Sequence, residues 1–163
     1  MSSVQGLKRY KSKEQGFTII ELLIVIVVLV ILTVLVFATY GGIQQKNRNL
    51  TRQNNLEAIH HQIEIYFNGA GHYPSRSDMN KPTWLTKNIK TLDKGLLIDP
   101  SNKNQSTLLV SAPVAKSYSY APTQIDGVSS CESKDTTCAK YTLTTTYEGT
   151  VNSSSSLAIK STN

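Results

Sequence analysis

The chain has 163 residues, 39% of them hydrophobic, and carries 17 Lys and Arg against 11 Asp and Glu, for a formal net charge of +6. It contains no phosphate-binding glycine-lysine loop, nucleophile elbow or zinc-binding helix motif. We therefore predict that the protein is not an enzyme and uses no cofactor or metal.

The first element is an apolar run from Phe17 to Ala38, in which Glu21 is the only charge. As a helix, the segment from Phe17 to Tyr40 would reach roughly 36 Å, enough to cross a hydrocarbon core of about 30 Å. We predict a membrane-spanning helix. A cleaved secretory signal is one alternative, although its apolar region would be shorter and would end in a small-x-small site. An uncleaved signal anchor is the other.

The residues before Phe17 are polar and basic, which predicts a cytoplasmic position. Part of the chain's positive charge belongs to this leader, so the net charge says little about partners. Basic residues also follow the apolar run, but both cysteines lie in the C-terminal part, which favours that part being outside. The basic residues of the leader are Lys8, Arg9, Lys11 and Lys13.

The string from Gly16 to Leu22, Gly-Phe-Thr-Ile-Ile-Glu-Leu, resembles the processing site of type IV pilins and pseudopilins. The resemblance implies that a prepilin peptidase cuts after Gly16 and methylates the nitrogen of Phe17. It also implies a single-pass precursor in the cytoplasmic membrane, with the leader cytoplasmic and the head outside, that later joins an extracellular filament. The implied partners are further copies of the chain, the peptidase, a membrane platform protein, an assembly ATPase and, before assembly, the lipid bilayer.

Phe17 and Glu21 are the predicted assembly residues. Cleavage would turn the Phe17 nitrogen into an α-amine with a pKa of about 8, mostly cationic at neutral pH. Unit charges about 4 Å apart attract by roughly 4 kcal/mol at an effective dielectric of about 20, which offsets the ~3 kcal/mol cost of a charge in the membrane. The resemblance implies that the amine of a neighbouring subunit neutralises Glu21.

A second helical segment follows the glycine pair Gly41-Gly42, where helix propensity is lowest. We predict that this pair is a hinge that bends or unwinds in a filament; the alternative is a tolerated glycine pair at the bilayer interface. An apolar stripe then predicts an amphipathic helix to about Asn68. The stripe consists of Leu56, Ile59, Ile63, Tyr66 and Phe67.

The remaining chain predicts an α+β fold, with the long N-terminal helix packed on a small antiparallel sheet. Strands are expected at 107–112, 116–121 and 139–148, with a short edge strand at 157–160. In the third strand Tyr141, Leu143, Thr145 and Tyr147 share one face. The predicted regions are a leader (1–16), a membrane helix (17–40), an amphipathic helix (41–68), an irregular connection with short helical or extended pieces (69–106) and a sheet with a disulfide loop (107–163).

Cys131 and Cys138 predict one disulfide in an exported head, with a reduced pair or half of a metal site as alternatives. The resemblance supports the disulfide, because related pilins often carry a disulfide near the C-terminus that closes a surface loop. The connection contains a lysine-rich patch, which predicts either a solvated loop or a contact with DNA or another anionic surface. It comprises Lys81, Lys87, Lys90 and Lys94.

These predictions together indicate a structural subunit of a type IV pilus. A pseudopilin or minor pilin of a secretion or DNA-uptake system shares the same N-terminal features and is the first alternative. A monomeric membrane-anchored binding protein, in which Phe17 would stay uncleaved, is the second. Adhesion, twitching motility, DNA uptake and secretion are the roles that the resemblance leaves open.

Overall fold

The structure is a computed structural model that describes residues 16–132 and 137–163. The leader predicted at 1–16 lies outside the described residues except for its last member, Gly16. The chain divides into two compact units between Gly41 and Gly42.

The first unit is helical from Ile19, where helix α1 (Ile19–Ala70) begins. Its large apolar side chains are exposed, from Ile19 at 88% to Phe37 at 73%. Among the described residues, α1 is the helix long and apolar enough to cross a membrane, and its most apolar 18-residue window has a mean hydropathy of 3.5. This apolar surface needs an environment other than water, because the residues of the unit whose burial the structure describes, 16–37 and 40–41, are all exposed.

The second unit contains the rest of α1, whose predicted apolar stripe is confirmed. Leu56, Ile59 and Ile63 are fully buried against the sheet, and Tyr66 and Phe67 pack at the margin of the same core. Each fully buried aliphatic side chain stabilises the fold by about 1.5–3 kcal/mol. The helix ends at Ala70, slightly beyond the predicted end, because the next residue, Gly71, has a φ of 74° and cannot continue it.

Four strands form one sheet in chain order: β1 (Leu109–Val110), β2 (Tyr118–Thr123), β3 (Lys140–Val151) and β4 (Ser154–Lys160). The alternation predicted for the third strand is confirmed, since Tyr141, Leu143 and Thr145 are buried on one face. The last strand is longer than expected, because it pairs with β3 from Thr142 to Thr146 and again at Val151.

The expectation of a wholly antiparallel sheet is wrong at one edge, where β1 runs parallel to β2. The reason lies in residues 111–117, which do not turn back in a hairpin. Thr146 of β3 donates a hydrogen bond to the carbonyl of Val114 (3.3 Å), so this segment crosses the sheet face that lies away from α1 before β2 begins. The other edge of β1 is paired by a side chain, because the Asn80 amide exchanges hydrogen bonds of 2.9 and 2.8 Å with the backbone of Leu109.

The connection between α1 and the sheet holds short helical pieces, as predicted: α2 (Arg76–Met79), α3 (Pro82–Asn88) and a 3₁₀ turn (Lys94–Leu97). Cys131 and Cys138 form a disulfide, the first of the readings that the sequence left open, and the start of the connection is hydrogen-bonded to both cysteines. The amide of Tyr73 donates to the carbonyl of Cys138 (2.9 Å), and that of Arg76 to the carbonyl of Cys131 (3.4 Å). These two hydrogen bonds attach the first residues of the connection to the base of the disulfide loop.

Candidate processing and assembly site

The Gly16-Phe17 bond lies in a non-helical segment just before α1. Both residues are exposed, and the Phe17 side chain is 90% accessible. A Cβ built on Gly16 would meet no atom within 4 Å, so nothing in the described chain crowds this bond. A protease can reach a backbone segment of this kind without first unwinding a helix.

Thr18 and Glu21 form a reciprocal cap at the start of α1. The Thr18 amide and hydroxyl donate to Glu21 Oε2 at 2.9 and 2.8 Å, and the Glu21 amide donates to Thr18 Oγ1 at 3.3 Å. This arrangement is a capping box, in which two backbone donors at the helix start that lack helical partners are satisfied by side chains. Glu21 thus has a structural role within its own helix, in addition to the role predicted from its charge.

Sequence reasoning missed this cap, although the signal was present. A Thr followed three residues later by Glu, just before an apolar run, is the sequence signature of a capping box. The same Glu is also the only charge in the apolar run, and that feature alone predicts intermolecular neutralisation rather than a cap.

The cap uses only one of the two carboxylate oxygens of Glu21. Within residues 16–132 and 137–163, Glu21 Oε1 accepts no hydrogen bond. The surrounding side chains are apolar and exposed, with Ile20 at 67% and Leu22 at 63%. An anionic oxygen among exposed apolar side chains is able to bind a cation, and it gains most from one when water is excluded.

The other predicted site residues lie elsewhere. Gly41 and Gly42 are both inside α1, and a Cβ on either would meet nothing within 4 Å; the hinge stays a prediction. The four lysines are exposed from the residue before α3 to the start of the 3₁₀ turn, and the described residues include no ion pair to any of them. Their proposed contact with DNA also stays a prediction.

A cluster that the sequence did not reveal joins α1 to a bulge in β3. The pairing of β3 with β4 is interrupted between Thr146 and Val151, and Glu148 turns toward α1. The Asn49 side chain donates to the Glu148 carbonyl (3.0 Å) and accepts from the Glu148 amide (3.0 Å). Gly149, with a φ of 73°, allows this turn of the backbone.

Charged groups complete the cluster. Arg48 Nε lies 2.9 Å from Glu148 Oε1, and Arg52 Nη2 lies 2.8 Å from the same atom. Arg52 also makes a two-point contact with Asp99, at 2.7 and 3.0 Å. Hydrogen bonds from Arg48, then from Ser101 and Arg52, hold the pKa of Glu148 well below its usual range against the opposing effect of burial.

A second polar group surrounds Glu64, whose carboxylate accepts hydrogen bonds from Tyr141 (2.8 Å), Tyr73 (3.0 Å) and Thr162 (2.6 Å). Burial alone would raise the pKa of Glu64, but these donors lower it. Tyr73 and Tyr141 are both buried, so each packs its ring in the core while its hydroxyl donates to Glu64. Burial also raises the pKa of Tyr118 to about 12.

Comparison with known proteins identifies the N-terminal segment. Residues 11–37 match the family described as the prokaryotic N-terminal methylation motif, which is the signature of type IV pilins and their precursors. The match supports a type IV pilin-like or pseudopilin precursor and points to a structural subunit rather than an enzyme. No curated protein and no solved structure matches the chain.

Proposed function

We propose that the chain is the precursor of a type IV pilus subunit, cut between Gly16 and Phe17 and methylated on the Phe17 nitrogen. One observation carries the proposal. An exposed Gly-Phe bond directly precedes the capped start of α1, and Glu21, the only charge between Phe17 and Ala38, keeps one oxygen without a hydrogen bond in the described chain. The matched motif covers this segment.

The proposed cut creates the partner that the free oxygen lacks. Before cleavage the Phe17 nitrogen is a neutral amide, and afterwards it is an ammonium that methylation leaves charged. The cap holds the Glu21 carboxylate by Oε2 and so orients Oε1. The ammonium of a neighbouring subunit that reaches Oε1 would form a charged pair in an apolar environment, and this pair would set the axial offset between subunits.

The apolar part of α1 supports the same proposal. Its exposed side chains would lie in lipid before assembly and against other copies of the helix afterwards. The second unit has its own buried core and so does not depend on such a partner to cover apolar surface. A pilus subunit and a pseudopilin share these features, and abundance in sheared surface fibres separates the two.

The test is mass spectrometry of sheared fibres from cells that contain the assembly machinery. We expect a chain that starts at methylated Phe17. A Gly16→Val variant should remain uncleaved, because a branched side chain at the cut would obstruct the peptidase. A Glu21→Gln variant serves as the matched control, since it should be cleaved normally. Fibres whose subunits retain Met1 to Gly16 would overturn the proposal.

A further inference from the structure

The sheet face opposite α1 ends in a groove between two lysines. Lys160 of β4 pairs with Thr142 of β3, and Lys140 of β3 pairs with Thr123 of β2. Because side chains two residues apart in a strand share a face, Lys140 and Lys160 are diagonal neighbours, with their Cα atoms roughly 7–8 Å apart. The groove has a volume of about 360 Å³ and is also lined by Ser161 and Asn163.

Neither lysine is neutralised within the described residues. Lys140 and Lys160 are exposed, and the ion pairs of residues 16–132 and 137–163 do not include them. Glu64 contacts Tyr141 from the opposite, core face of the sheet. Asp126, on the turn beside the groove, stays anionic, and its carboxylate lies against its own turn, where it accepts hydrogen bonds from the amides of Val128 (3.0 Å) and Ser129 (2.9 Å). Among the described residues that line the groove itself, the charged side chains are these two lysines, and they lie beside several hydrogen-bonding groups.

The same turn places two aliphatic side chains next to the groove. Ile125 and Val128 are 87% and 85% exposed, whereas Gly127 between them lines the groove. The turn is ordered by backbone hydrogen bonds, from the Gln124 amide to the Ser129 carbonyl and from the Gly127 amide to the Gln124 carbonyl, both 2.9 Å. Exposed aliphatic groups on an ordered turn bury apolar area on contact with a partner at little entropic cost.

We propose that this groove and turn bind an acidic polypeptide segment in which aliphatic residues lie beside the carboxylates. This inference goes beyond the proposed role as a filament subunit. The lysines supply charge complementarity, and Ile125 and Val128 require an apolar counterpart. A phosphate backbone or a hydrophilic glycan would leave those two side chains in water, so a polypeptide fits both halves of the surface.

The experiment measures binding of defined peptides to the full chain in nonionic detergent. The probe is a pool of short peptides in which Asp or Glu alternates with Leu, Ile or Val. We expect saturable binding that weakens with salt and falls roughly tenfold in the Lys140→Gln, Lys160→Gln double variant, because two exposed ion pairs are lost. Ile125→Ser with Val128→Ser should weaken it to a similar degree.

Matched controls separate this site from charge in general. A Lys87→Gln, Lys90→Gln double variant removes the same charge from another exposed surface and should bind like the unaltered chain. Peptides with Gln for the acids, or Ser for the aliphatic residues, should bind poorly.

The proposal is overturned if no peptide of the pool binds, or if the two double lysine variants lose affinity for the peptides equally. It is also overturned if duplex DNA or anionic vesicles bind at the groove and the Ile125→Ser, Val128→Ser substitutions do not change that binding. Concentration-dependent self-association that the Ile125→Ser substitution abolishes would also overturn it, because the occupant would then be a second copy of the chain.

Discussion

Removing Arg52 tests whether the buried ionic cluster holds α1 to the rest of the head. The Arg52 side chain is 1% exposed and its partner Asp99 is fully buried. Replacement by Met keeps much of the length and apolar stem of the side chain but removes the charge. Asp99 would then keep the hydrogen bond from the Ser101 amide (2.8 Å) but would lose both of its contacts with the guanidinium.

The expected cost follows from the burial of the carboxylate that stays behind. Breaking a buried pair by removing one partner costs about 3–5 kcal/mol, because the remaining charge is left in a medium of low polarity. For a domain of this size such a loss lowers the melting temperature by roughly 10 °C or more. Adding Asp99→Asn to Arg52→Met should recover part of the loss, because the unpaired charge is then removed as well.

The assay is urea unfolding of the full chain in nonionic detergent, followed by the fluorescence of Trp84, which packs against the core of the second unit. Arg76→Met is the matched control. Arg76 pairs with Glu132, but the two side chains are 25% and 47% exposed, so its loss should cost less than about 1 kcal/mol. An equal effect of the Arg52 and Arg76 variants would refute the reasoning.

Three further predictions follow from the same structure. Glu21→Gln should leave processing and membrane insertion intact but lower filament yield about tenfold or more. Thr18→Ala removes the hydroxyl's share of the cap and keeps the Glu21 charge, so it should lower the yield less; quantification of sheared fibres against total subunit checks both. Gly149→Ala should lower the free energy of unfolding by about 1 kcal/mol or more, because φ is 73° and a Cβ would lie 2.7 Å from Gln45 Nε2; urea unfolding measures it. The pKa of Glu148 is lowered in the folded state, so Glu148 stabilises the fold above its unfolded pKa of about 4.3, and this stabilisation should be lost as the pH falls below that value. Urea unfolding between pH 7 and pH 3 should show the decrease in the free energy of unfolding, and a Glu148→Gln variant should show a smaller decrease.

Several local features of the chain were predictable because their signals lie in neighbouring residues. The apolar run after Gly16 indicates the membrane-capable segment, and the spacing of Leu56, Ile59 and Ile63 indicates the buried face of α1. Alternation around Leu143 identifies the core face of β3 in the same way. Each of these patterns indicates which side of one helix or strand is buried, and it depends only on residues within that helix or strand.

The capping box was predictable in principle and was overlooked. The spacing of Thr18 and Glu21 is a local pattern, so it needs no knowledge of the fold. The same carboxylate also carries the proposed intermolecular role, and the structure shows how both fit one side chain, since the cap occupies Oε2 alone.

The direction of β1 depends on the path of residues 111–117 over the sheet, which no strand-forming pattern encodes. The partners of Arg52 depend on distant elements in the same way, since Asp99 and Glu148 lie 47 and 96 positions away in the chain.

By itself, the sequence determined the processing motif, the apolar helix and the faces of the main strands, because these depend on composition and spacing within single elements. Only the tertiary structure decided the parallel edge of the sheet, the ionic cluster at the β3 bulge and the lysine groove beside the ordered turn. Their energies arise from contacts between residues far apart in the chain, and such contacts exist only after the elements have packed.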